Sequence, residues 1–117
     1  MQFLESLKEY GCNIDAGLDR MKGKVDFYKR LISKFPEVIE DNEFESLIRN
    51  NQIDRAIEKT HLIKGVTANL SFDLLYESYT KIVDLLRMGN STEALNEFLK
   101  IKETQKNLVA HIKNSLT

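Results

Sequence analysis

A single proline in 117 residues, with Gly11, Gly23 and Gly89 falling between apolar stripes of helical period, leaves this chain little to build with but helices. Almost nothing in it alternates apolar and polar residues over the length of a strand. Residues 3–10 read as a short amphipathic turn or two, and Ile14, Leu18 and Met21 mark a second short helix that closes near Gly23. A third helix spans about residues 25–41, with Phe27, Leu31, Phe35, Val38 and Ile39 as its buried stripe. Pro36 cannot donate a backbone hydrogen bond, so a kink or break is expected at Phe35.

Residues 43–49 form a small segment before a turn at Asn50-Asn51, and a long helix follows over about residues 53–70. Ser71 and Asp73 offer cap chemistry for a helix carrying Phe72, Leu75, Tyr79, Ile82, Val83 and Leu86, which stops at Gly89. Ser91 is the expected N-cap of the last helix, whose stripe is Leu95, Phe98, Ile101, Gln105, Leu108 and Ile112. Long helices joined by short turns imply an all-α fold, an antiparallel up-and-down four-helix bundle over residues 25–117. Short capping helices within residues 1–23 precede it, and residues 1–117 are expected to form one domain.

With 42% hydrophobic and 30% charged residues, such a chain can bury a continuous core without covalent staples. Its one cysteine, Cys12, excludes an intramolecular disulfide and a cysteine-based metal site, which favours a reducing cytoplasm. The opening MQFLESLKEY is interrupted by Glu5, Lys8 and Glu9, so it has no apolar signal region, and no stretch has the apolar length for membrane insertion. A soluble, cytoplasmic protein is expected. The net charge of −1 argues against nucleic acid as a partner. A basic run (Arg20, Lys22, Lys24, Lys29, Arg30, Lys34) and an acidic one (Glu37, Glu40, Asp41, Glu43, Glu45) both read as solvated helix faces.

The stretch HLIKGVTANLS, residues 61–71, places a glycine inside the 53–70 helix, where it costs about 1 kcal/mol relative to alanine. At about 100° per residue, Ala56, Thr60, Ile63, Val66, Thr67 and Leu70 share one apolar arc that faces the core. Ile57, Lys64, Gly65 and Ala68 fall on the opposite side, within about 60° of His61. One imidazole thus projects to solvent with a cation beside it, two very small residues clearing the space, and an apolar side chain where a polar one belongs.

Free imidazole has a pKa of about 6.5, so at neutral pH its unprotonated nitrogen is a nucleophile. Without an acid, base or oxyanion partner it cannot run a reaction alone. It can accept a phosphoryl group if a partner brings the rest, because phosphoryl transfer is chiefly positioning and charge stabilisation. Lys64 would then meet the phosphoryl oxygens, Gly65 and Ala68 would let the partner's site approach, and Ile57 would supply apolar contact.

HLIKGVTANLS resembles the H-x-x-K-G motif of the histidine-containing phosphotransfer (HPt) domains of two-component phosphorelays. His61 matches the phosphoacceptor, Lys64 and Gly65 the lysine and glycine that follow it, and Asn69-Leu70 the common NL step. The likeness extends to IDAGLDRMKGKVDFYKRLISKF, LIRNNQIDRAIEKT and LLRMGN, and so covers about residues 12–115. Ser71 stands where the family usually has glycine, and Thr60 where it has alanine.

The resemblance implies a phosphohistidine carrier rather than an ATP-using kinase, taking phosphoryl groups from receiver aspartates and returning them. It implies response-regulator receiver domains and an upstream hybrid histidine kinase as partners, a monomeric state, and a partner face that includes Ile57, Ala68 and Asn69. It also implies no cofactor or metal bound by this chain, with Mg2+ carried by the receiver. The sequence has no P-loop or other nucleotide motif.

Glu58-x-x-His61 has di-iron ligand spacing, but the second half of such a site is missing, since Leu108 stands three residues before His111. His111 reads as a surface residue, and Asp15, Asp19 and Asp26 as caps and solvated positions. The main alternative is a non-phosphorylated helical docking module for receivers or another helical partner. The dimerising histidine domain of a sensor kinase would need an ATP-binding module that these residues lack.

Overall fold

The computed structural model describes residues 2–39 and 43–116, and every regular element among them is helical. In order these are α1 (Gln2–Ser6), a 3-10 turn (Leu7–Tyr10), α2 (Ile14–Arg20), α3 (Val25–Ser33), α4 (Phe35–Val38), α5 (Glu43–Arg49), α6 (Ile53–Leu70), α7 (Asp73–Arg87) and α8 (Ser91–Leu116). Three of them are long, with 18, 15 and 26 residues in α6, α7 and α8. Short connections fold these three back on one another in sequence, as antiparallel neighbours. Helix α3 touches both α6 and α8, and α5 lies against the same pair.

The turns share one device, a left-handed residue followed by a backbone bond that reaches back into the finished helix. Asn51 (φ 56°) ends α5, with Gln52 N–H on the Leu47 carbonyl at 2.8 Å. Ser71 (φ 61°) ends α6, with Phe72 N–H on Thr67 at 2.9 Å, and Gly89 (φ 81°) ends α7, with Asn90 N–H on Leu85 at 2.8 Å. Ser71 therefore closes the helix before it instead of capping the one after it. Phe72 occupies the N-cap of α7 without a side-chain bond, and Asp73 accepts from Asn13 Nδ2 at 3.2 Å. Likewise Ser91 is already helical, with Ala94 N–H bonded to the Asn90 carbonyl at 3.0 Å.

The third helix departs from its expected form in two ways. It stops at Ser33, with the break at Lys34, and Pro36 sits in the first turn of the separate α4, where a missing N–H costs nothing. The expected end at Asp41 lies outside the described residues, as does Glu40. Its fully buried residues are Tyr28, Ile32 and Phe35; the expected Leu31, Val38 and Ile39 are half-buried against the core, while Phe27 is 42% exposed. The phenol decides this. Tyr28 Oη donates to the Leu70 carbonyl at 2.6 Å, one of the acceptors that the end of α6 leaves without an intrahelical partner. A satisfied hydroxyl lets the whole ring be buried, and that burial pushes its pKa upward.

Elsewhere the core is apolar and aromatic. Phe35 meets Phe72 edge-on with ring centroids 5.1 Å apart, and Phe44 meets Phe98 at 4.8 Å. Gln105 is buried in the stripe of α8 because Tyr79 Oη donates to its Oε1. The Cys12 thiol is buried, and burial, with the charge of Asp73 adding to it, pushes its pKa up to about 12. It is inert at neutral pH.

The acidic run is not simply solvated. Glu43 takes Lys59 of α6 at 3.1 Å, and Glu45 takes Lys102 of α8 at 2.8 Å and Arg49 at 3.0 Å, which ties α5 to both neighbours. Hydrogen bonds from Lys102 and then Arg49 hold the Glu45 carboxyl below its usual range. The basic residues Arg20, Lys22, Lys24, Arg30 and Lys34 are exposed, and Lys29 is half-buried.

His111 is no ordinary surface residue. It is half-buried between Phe3, stacked at 5.9 Å, and Tyr10 at 5.6 Å. The single hydroxyl proton of Ser6 goes to the Phe3 carbonyl, so Ser6 Oγ accepts from His111 Nε2 at 2.7 Å. The leading residues are thereby clasped onto α8. Ser6→Ala is expected to cost about 1 kcal/mol, seen as a fall of about 4 °C in Tm by circular dichroism. An unchanged Tm would mean that the clasp holds by ring stacking alone.

Candidate functional site

Helix α6 is buried along Ala56, Thr60, Ile63, Thr67 and Leu70, the arc expected from its sequence, with Val66 of that arc half-buried at its edge. Its two threonines fit there because each hydroxyl bonds back to its own helix, Thr60 to Ala56 at 2.6 Å and Thr67 to Ile63 at 3.0 Å. The opposite face reaches solvent. His61, Gly65 and Asn69 are exposed, successive turns of one ridge, while Lys64, Ala68 and Ile57 are half-buried on its flank. Ile57 also leans on the core, so only part of it is available to a partner.

Gly65 is the informative position. A Cβ built there meets nothing within 4 Å, so neither packing nor backbone strain asks for glycine. Gly17 makes the contrast: a Cβ there would lie 2.0 Å from Tyr28 Oη. The one serves the fold, and the other keeps a surface low beside His61.

Neither His61 nor Lys64 has a side-chain hydrogen bond or ion pair among the described residues. The imidazole presents its ring nitrogens to solvent without a carboxylate to orient or activate it, and the ammonium is left to neutralise whatever arrives. Leu62, beside His61 and 55% exposed, was missed by the sequence reading. The signal was there, an apolar residue about 100° from His61 on the polar half of the wheel.

Among the described residues no three His, Cys, Asp or Glu side chains are placed to hold a metal ion, and Glu58 and His61 gain no third ligand. No described helix is long and apolar enough to cross a membrane. No known protein family, curated protein or solved structure matches the chain. The site offers an exposed imidazole, one turn on a cation without a carboxylate partner among the described residues, and open space above Gly65.

Proposed function

We propose that the chain is a histidine phosphotransfer domain of a two-component phosphorelay, built as a four-helix bundle of α3–α4, α6, α7 and α8. The observation that supports this reading is Gly65: a helix-interior glycine with open space above it, one turn from an exposed histidine that has no side-chain partner among the described residues. A ring nitrogen of His61 attacks the phosphorus of a receiver's aspartyl phosphate. The N–P bond forms as the P–O bond to the aspartate breaks, and its electron pair leaves with the carboxylate. The ring keeps the proton on its other nitrogen, and reversal passes the group to a second receiver.

Lys64 neutralises the incoming oxygens, and the receiver supplies Mg2+ and the remaining charge stabilisation. Ile57, Leu62, Ala68 and Asn69 form the rim that the receiver covers. The proposed partners are receiver domains and an upstream hybrid kinase, met by a monomeric carrier in the cytoplasm.

The test is incubation with phosphorylated receivers and Mg2+, followed by intact-mass measurement of an acid-labile phosphoryl group. Receiver binding without any phosphoryl gain would favour a docking module. Gly65→Ala separates fold from function within one substitution. The added methyl enters open space and improves helix propensity, so stability is expected to rise by about 1 kcal/mol, or about 4 °C in Tm. The same methyl stands where the receiver must approach, so the transfer rate falls. Equal or faster transfer would remove the steric role of Gly65.

A further inference from the structure

On the far side of α6 from His61, the helices α5, α6, α7 and α8 enclose a cavity of about 460 Å³, within the range of small-molecule sites. Ile39, Phe44, Ile63, Phe98 and Val109 supply its apolar wall. Phe44 and Phe98 meet on it with their rings tilted by 49°.

The polar side chains on the lining are Lys59, Tyr79, Lys102, Gln105 and Lys106. Tyr79 spends its hydroxyl proton on Gln105 Oε1, and the Gln105 amide nitrogen then has no acceptor among the described residues, nor is it sealed away from the opening. At the rim, Lys102 and Lys59 are paired with Glu45 and Glu43 of α5. Lys106, one turn beyond Lys102 on the same lining, is exposed and pairs with no carboxylate among the described residues. No acidic side chain among the described residues lines the cavity.

A partly apolar chamber with one amide donor and, among the described residues, one cation without a carboxylate on its lining asks for a ligand of corresponding form: an apolar body with a single anionic, acceptor-only head. We infer that this cavity binds a hydrophobic monocarboxylate of medium chain length, its tail between Phe44 and Phe98 and its carboxylate on Lys106 and the Gln105 amide. A phosphate ester would bring about two charges to one free lysine. An uncharged alcohol would leave the cation unmatched. Ile63 lies about 200° around α6 from His61, so the ligand and a partner docked on His61 occupy opposite sides of one helix. The inference does not depend on what His61 does.

The test is a titration of the full 15N-labelled chain with octanoate, with 1-octanol as the uncharged probe of the same length. Octanoate is expected to produce saturable shifts centred on Ile63, Phe98 and Val109, and to bind at least tenfold more tightly than octanol. Lys106→Glu, an exposed substitution that leaves the fold intact, is expected to weaken octanoate at least tenfold while leaving octanol unaffected. Absence of saturable shifts, shifts centred elsewhere, equal affinity for octanol, or full affinity in Lys106→Glu would each overturn it.

Discussion

His61→Gln is expected to take up no phosphoryl group from any phosphorylated receiver, while its thermal unfolding stays within about 2 °C of the parent. Both halves follow from placement. The side chain is exposed and makes no hydrogen bond or ion pair among the described residues, so the fold loses no contact, and surface changes of this kind stay within about 0.5 kcal/mol. Loss is expected to be complete because the other histidine is not a substitute. His111 Nε2 is engaged with Ser6, and its ring is held between Phe3 and Tyr10. Intact mass after receiver incubation reads the outcome directly. Residual acid-labile phosphorylation in the variant would move the acceptor to His111, and with it the docking face from α6 to α8.

The face of α6 was legible because a wheel needs only local periodicity. The arc from Ala56 to Leu70 is buried by its neighbours as its sequence demands, and the opposite ridge follows from it. The same reasoning misplaced Phe27 and passed over Tyr28 and Ile32 in the stripe of α3. Phe27-Leu31-Phe35 and Tyr28-Ile32-Phe35 are both plausible helical stripes, offset by one residue, and hydrophobicity favours the first. What selects the second is the Leu70 carbonyl, 42 residues away, which gives the Tyr28 hydroxyl a buried partner.

His111 escaped for a similar reason. Its ring partners lie at the start of the chain and Ser6 is 105 residues off, so nothing in the local sequence announces the clasp. The caps were misread because Ser71 has side-chain chemistry suited to starting a helix, yet here its backbone ends one. A left-handed serine at a glycine-type position carries a conformational cost that the local sequence alone does not show. Long-range acceptors and backbone conformation, rather than periodicity, are what the sequence concealed.

Gly17→Ala is expected to lower stability by about 3 kcal/mol, a fall in Tm of about 12 °C, whereas Gly65→Ala raises it. By helix propensity alone both changes would stabilise by about 1 kcal/mol. At position 17 the methyl would stand 2.0 Å from Tyr28 Oη and 2.3 Å from Cζ. The ring cannot swing aside, since it is fully buried and its hydroxyl is bonded to Leu70 at 2.6 Å. Either α2 is pushed off α3 or the buried hydrogen bond breaks, and each costs more than the propensity returns. Tyr28→Leu removes the atoms in the way. In that background Gly17→Ala is therefore expected to cost almost nothing, giving a coupling of about 2 kcal/mol or more in a double-mutant cycle of thermal or urea unfolding. Additive losses across the cycle would show that Gly17 is required for some other reason, and a parental Tm for Gly17→Ala would show that the α2–α3 contact yields without strain.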